Sequence, residues 1–226
     1  MLFFHKREKK IEQMLLDIEG ECRLASSLTG ISAFPEKIMN AMEEVPRDEF
    51  VPVSMKSLAF ENRPLSIGEG QTISQPFIVA LMTHLLDPEE DDVILEVGTG
   101  SGYQAAVLSK LVRKVYSLEI IPSLAENAAE RLFRLGYENV EVRSGDGYLG
   151  WTELAPFDGI IVTAAATHVP VPLKEQLKPG GKLVIPVGIP FLAQELMVVE
   201  KDEKGKTFTR DVLSVAFVPL RRRREY

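Results

Sequence analysis

The chain has 226 residues, 45% of them hydrophobic, with a formal net charge of -7 and a pI near 5.2. That length suits one sizeable α/β domain, residues 1–226, and is too short for two, while the acidic balance opposes the positive field that nucleic acid or an anionic membrane requires, so neither partner is expected. The single cysteine, Cys22, excludes an intrachain disulfide and a cysteine-based zinc site; without an export signal in residues 1–10 or an apolar run of about 18 residues, a soluble cytoplasmic protein is expected.

Residues 6–31 are charged and helix-prone, and Ile11, Leu15, Ile18 and Cys22 fall on one apolar stripe, predicting a packed or lid-like helix. Pro35-Glu36 opens a second helical stretch through Val45, which Pro46-Arg47-Asp48 closes. Residues 50–65 mix prolines, aromatics and glycines without a period and read as an ordered surface segment. From residue 93 onward the pattern changes. Apolar strands at 93–97, 114–119, 140–142, 157–163 and 182–187 alternate with helical stretches at 103–112, 122–135 and 169–177, the signature of a doubly wound, mostly parallel sheet buried on both faces. Residues 195–200 and 212–220, around Asp202-Glu203-Lys204-Gly205-Lys206, read as an antiparallel hairpin that brings the sheet to seven strands. The order of those last two strands stays open.

The glycine loop carries the first chemical signal. Glu96-Val97-Gly98-Thr99-Gly100-Ser101-Gly102 follows a strand and opens a helix, so its glycines fall where the chain turns sharply and a ligand can approach the backbone. A dinucleotide fingerprint would read G-x-G-x-x-G; here the glycines run G-x-G-x-G, preceded by the carboxylate of Glu96. An acidic, glycine-lined pocket suits a cationic ligand without phosphate, such as S-adenosyl-L-methionine, and an ordinary tight turn is the plainer alternative. Glu119, roughly 20 residues on at the end of the second strand, stands where a carboxylate accepts from both ribose hydroxyls, unless it is merely an exposed strand-end acid. Asp146 in Gly145-Asp146-Gly147 could accept from an adenine amino group, although Gly-Asp-Gly is also common in plain turns.

Gly70-Gln71-Thr72-Ile73-Ser74-Gln75-Pro76, the glycine loop, Gly145-Asp146-Gly147, Phe157-Asp158, Ala164-Ala165, Lys178-Pro179-Gly180-Gly181 and Phe217-Val218-Pro219-Leu220, in that order over roughly residues 35–220, resemble the protein-L-isoaspartate O-methyltransferase family. The resemblance implies a Rossmann-like methyltransferase with a cofactor-binding core at 76–226, behind an N-terminal helical and substrate-side segment at 1–75. It implies that Ser74 is the active-site hydroxyl, that Thr72 and Ile73 wall the reaction centre, and that Glu96, Gly98, Thr99, Gly100, Gly102, Glu119, Ile120, Asp146, Gly147 and Thr163 surround S-adenosyl-L-methionine and its product S-adenosyl-L-homocysteine. The implied substrates are proteins and peptides with an L-isoaspartyl link, methylated on its free α-carboxylate in protein repair, by a monomer. Residues 1–30 and Arg221 to Arg224 lie outside the resemblance; the latter read as a solvated basic tail.

A carboxylic acid is ionised at pH 7, so its methylation needs no general base; the expected task is to desolvate and align the carboxylate, with Ser74 donating one orienting hydrogen bond. Ser74 is also well placed as a cap for a helix beginning near Pro76. His5, His84 and His168 lack partners at ligand spacing, and no metal is expected. Competing readings are a methyltransferase acting on RNA or a small molecule, which would share the glycine loop, Glu119 and Asp146, and a catalytically idle cofactor-binding module. A nicotinamide-dependent oxidoreductase is disfavoured by the glycine spacing.

Overall fold

The computed structural model describes residues 2–189 and 192–222, with side chains from residue 6 onward. Helix α1 (Leu2–Thr29) and helix α2 (Glu36–Glu44) precede two 3-10 turns, Arg47–Glu49 and Val53–Leu58. A small hairpin follows, β1 (Leu65–Gly68) with β2 (Gln71–Ile73), then helix α3 (Pro76–Leu86). The large sheet is built from β3 (Val93–Val97), β4 (Lys114–Glu119), β5 (Val140–Ser144), β6 (Phe157–Val162), β7 (Leu177–Gly188), β8 (Gln194–Lys201) and β9 (Thr207–Val215), with helices α4 (Tyr103–Ser109), α5 (Pro122–Arg134) and α6 (Val171–Glu175) between strands. Its order is β5-β4-β3-β6-β7-β8-β9, parallel as far as β7 and antiparallel beyond. This is the predicted doubly wound, mostly parallel seven-stranded fold with a C-terminal hairpin and an N-terminal helical extension, and the two last strands attach in chain order.

Strand β3 lies at the point where the strand order reverses, flanked by β4 and β6, so its carboxyl end opens onto the crevice where such sheets bind ligands. Its buried run Ile94, Leu95, Glu96 and Val97 is apolar except for one carboxylate. One apolar core joins the N-terminal helices to the sheet: Met14, Ile18 and Cys22 of α1 and Ile38 and Met42 of α2 share it with Ile94, Val115 and Val184. Helix α1 is therefore packed rather than lid-like. Helix α3 is apolar around almost its whole circumference and correspondingly buried. Its N-terminus is served from a distance: the Phe77 amide donates to Asn62 Oδ1 at 3.0 Å, the cap position is Gln75 without a side-chain bond, and Ser74 does not cap it.

Residues 50–65 run along the surface as expected, with Val53, Lys56, Glu61 and Arg63 exposed, while Phe50, Ala59 and Leu65 anchor the segment in the core. Two boundaries differ from expectation. The β1–β2 hairpin was hidden by its turn: Glu69 and Gly70 both adopt positive φ, 53° and 69°, as a two-residue hairpin loop needs, but Glu-Gly is a poor sequence signal for it. The last strand spans 207–215 and not 212–220, because buried Gln194 captures Phe217 through both backbone groups, at 2.6 and 3.1 Å, and draws the chain off the sheet edge. Among the described residues no helix is long and apolar enough to cross a membrane.

Candidate active site

The glycine loop leaves β3 and is fixed from both sides. The amides of Gly98 and Thr99 donate to Leu118 O at the end of β4, at 2.8 and 3.2 Å, and the Thr163 amide beyond β6 donates to Val97 O at 2.9 Å. Gly98 has φ of 100°, and a Cβ there would stand 2.5 Å from Thr163 Oγ1, so backbone and hydroxyl pack closer than any side chain permits. Thr163 Oγ1 in turn donates to Gly98 O at 2.6 Å. Gly102 serves packing: it starts α4 with φ of 86° while facing Leu132 of α5.

Beneath this loop is a cavity with about 720 Å³ of empty space, its open mouth included. Of the predicted site residues, Thr72, Ile73, Ser74, Glu96, Gly98, Thr99, Gly100, Glu119, Ile120, Gly147 and Thr163 line it, whereas Gly102 and Asp146 do not. Asp146 Oδ1 instead accepts from the Tyr148 amide at 2.9 Å, the local bond of an Asx turn. Gly147 presses against the wall, and a Cβ there would overlap Val97 Cγ1. Sequence reasoning missed Tyr103, Gln104 and the stretch 218–221 as lining groups. The last closes the cavity from the far end of the chain: Ala165 N donates to Val218 O and Leu220 N to Ala165 O, both at 2.8 Å. Arg221 lines the mouth, and Arg222 stacks over Tyr148 at 4.3 Å. The rest of the predicted basic tail, Arg223 and Arg224, lies outside the described residues, as does the His5 side chain.

Two carboxylates define the electrostatics. Glu119 is 5% exposed, hence no exposed strand-end acid; its Oε2 accepts from the Gly100 amide at 2.8 Å and its Oε1 from the Ile121 amide at 3.0 Å. Each oxygen keeps a lone pair for a ligand hydroxyl. Glu96 is fully buried: Ser117 Oγ donates to its Oε2, with Thr99 Oγ1 2.6 Å from the same serine, while Oε1 has no hydrogen-bond partner. Burial pushes the Glu96 carboxyl up to about 8, against the Ser117 hydrogen bond, assisted by nearby Glu119 and opposed more weakly by the Ala105 backbone amide. Glu96 lies behind the lining with its carboxyl shielded from solvent, and Glu119 stands nearer the opening; the pair of acids fits a ligand with an ammonium at one end and a ribose near the other.

Ser74 lines both this cavity and a second one beside it. Its hydroxyl has no hydrogen-bond partner among the described residues, yet its backbone is pinned. Arg47, wholly buried, donates through Nη2 to Ser74 O at 2.7 Å and Arg63 O at 3.3 Å, and through Nη1 to Ala59 O. Its guanidinium lies 5.5 Å from the centre of the Tyr103 ring, and burial lowers its pKa to about 10. Sequence reasoning read Arg47 only as part of a helix stop. Among the described residues no group of three His, Cys, Asp or Glu could hold a metal.

Residues 28–225 match the model of the protein-L-isoaspartate(D-aspartate) O-methyltransferase family, which therefore takes in the basic tail but only the last two residues of α1. The protein-L-isoaspartate O-methyltransferase 2 of Syntrophobacter fumaroxidans is 62% identical over 208 residues, covering 92% of this chain and 84% of its own. A namesake from Polaromonas sp. is 56% identical over 207 residues, covering 92% and 98%. A solved protein-L-isoaspartate O-methyltransferase superposes with a TM-score of 0.78 at 28% identity, over 92% of this chain and 65% of that longer one. A Plasmodium falciparum chain described as a protein-L-isoaspartate O-methyltransferase, solved with S-adenosyl-L-homocysteine, superposes with a TM-score of 0.72 at 25% identity, over 83% and 91%.

Proposed function

This chain belongs to the protein-L-isoaspartate(D-aspartate) O-methyltransferase family, and from that premise we infer how its own residues carry out the family reaction. It is an S-adenosyl-L-methionine-dependent methyltransferase acting on the free α-carboxylate of L-isoaspartyl residues in proteins and peptides. The observation that carries the assignment of the reaction centre is the unpartnered Ser74 hydroxyl where the two cavities meet. In this reading the first cavity takes the cofactor and the second admits the substrate.

S-adenosyl-L-methionine, when bound, supplies an electrophilic methyl group on a sulfonium and leaves as a neutral thioether. The protein's share is then binding and alignment. Glu96 supplies the negative charge facing the ammonium, and Glu119 receives the ribose hydroxyls. The close-packed Gly98, with Thr99, Gly100, Ile120 and Thr163, shapes the wall, and Gly147 borders the base. Thr72 and Ile73 exclude water, and Ser74 donates to one oxygen of the substrate carboxylate so that the other faces the methyl. No proton need be removed from a carboxylate that is already ionised, so the gain comes from placement, worth on the order of 7–11 kcal/mol. Arg47 acts as a positioning residue by holding Ser74 O. One domain, with 1–75 as substrate side and 76–226 as cofactor core, working as a cytoplasmic monomer without nucleic-acid or membrane partners, completes the reading; the shared core and the net charge of -7 support it.

The test is transfer of labelled methyl to two peptides identical except for an L-isoaspartyl or a normal aspartyl link. Base-labile label on the isoaspartyl peptide alone is expected. Label on neither peptide, with cofactor still bound, would overturn the substrate assignment.

A further inference from the structure

The second cavity lies between α1, the start of α3 and residues 213–217, has about 1010 Å³ of empty space with its open mouth included, and shares Thr72 and Ser74 with the first. Its wall is largely apolar, with Phe77, Ile78 and Phe217 prominent. The one charged group among the described residues of that wall is Glu21, contributed by the part of α1 that precedes the family match.

The charge of Glu21 is uncompensated. Its Oε2 accepts from Asn62 Nδ2 at 2.7 Å and from Gln75 Nε2 at 2.8 Å. Both donors are neutral amides, and among the described residues Glu21 has no cationic partner. The same two bonds hold it firmly, since Asn62 caps α3 and Gln75 directly follows Ser74. A carboxylate fixed in this way on an otherwise uncharged wall, beside the reaction centre, places a negative potential where residues flanking a bound isoaspartate must pass.

We propose that Glu21 makes this cleft selective for isoaspartyl segments that carry a basic residue next to the isoaspartate, and that it disfavours acidic neighbours. The inference rests on the reading of the two cavities as cofactor and substrate sites. An exposed ion pair is worth up to about fivefold, and like charges cost a similar factor, so exchanging a flanking Lys for Glu should change kcat/KM by roughly 5- to 20-fold at low salt.

The experiment uses the full chain and matched L-isoaspartyl peptides with Lys, Ala or Glu either just before or just after the isoaspartate. At one of the two positions kcat/KM should fall in the order Lys, Ala, Glu. Glu21→Gln retains acceptors for Asn62 and Gln75 and should compress the Lys-to-Glu ratio to below about twofold, and Glu21→Lys should invert it. A wild-type ratio near one at both positions, or a ratio that survives in Glu21→Gln, would overturn the proposal. Should both variants lose all turnover, the wild-type ratio decides alone: it must shrink between 50 and 500 mM salt, and a salt-insensitive ratio overturns the idea. Failure to methylate any isoaspartyl peptide would be a different result, bringing down the substrate reading and this inference with it.

Discussion

Replacing Glu96 by Gln separates two consequences of its burial. In the folded protein its carboxyl titrates near 8, against an ordinary value of 4.5. As pH rises from 4.5 to 8, the unfolded chain gives up this proton while the folded chain retains it. The folded state then binds more protons, and stability falls with rising pH across that window. A gap of about 3.5 pH units at 1.36 kcal/mol each caps the loss at about 5 kcal/mol, and relaxation around the buried group should leave on the order of 2–4 kcal/mol. Glu96→Gln removes the titration. Urea unfolding without cofactor at pH 5 and pH 8.5 should therefore show the variant gaining about 2–4 kcal/mol relative to wild type at the higher pH. Cofactor binding should respond in the opposite sense. If the ionised form is what receives the ammonium, the fraction competent to bind rises from about 1% to about 9% between pH 6 and pH 7 for a group at 8, so affinity by calorimetry should rise about ninefold. In Glu96→Gln the affinity should be weak and flat over this interval. A wild-type minus variant stability difference that does not change between pH 5 and 8.5 would refute the claim that burial raises the Glu96 carboxyl.

Three further substitutions address the remaining roles. Ser74→Ala should lower kcat by 10- to 1000-fold, the loss of one positioned donor, while cofactor affinity by calorimetry stays within about twofold; unimpaired turnover would remove Ser74 from the reaction centre. Glu119→Ala leaves the amides of Gly100 and Ile121 without their acceptors, and at about 1.5–3 kcal/mol per charge-assisted bond cofactor affinity should fall at least tenfold; unchanged affinity would exclude the ribose contact. Gly147→Ala drives a methyl into Val97 and should cost about 1–3 kcal/mol of stability, a loss of roughly 2–12 °C in Tm for a chain of this size.

What could be read from the sequence followed from local chemistry. Strands buried on both faces must be continuously apolar, so β3, β4 and β6 announced themselves, and the glycines between β3 and α4 gave away a turn that admits a ligand. Glu119 was legible because its distance from that loop is set by one helix and one strand. That Glu96 is fully buried with a hydrogen bond from Ser117 to only one of its oxygens was not, since nothing within a five-residue strand says whether a nearby serine will reach one oxygen or both. Asp146 shows the limit from the other side: a plausible spacing placed it on the cavity, whereas its bond to Tyr148 N turns it into the adjoining loop. Arg47 escaped notice because its three acceptors, on Ala59, Arg63 and Ser74, are backbone carbonyls, which leave no trace in residue identity. Val218 to Leu220 stood out only as part of a motif; their place on the cavity depends on a bridge to Ala165, which the sequence does not show.

That bridge also sets a timetable. Gly98 leaves the ribosome about 120 residues before Val218, which at 5–20 residues per second is roughly 6–24 s. The loop, β4 and β6 are all synthesised by just past the middle of that interval, but until Val218 to Arg221 dock, the crevice has a floor and no far wall. A nascent chain in this state exposes apolar Val97 and Ile120 with nothing to enclose them. Tight cofactor binding should thus be one of the last properties the polypeptide acquires during its synthesis.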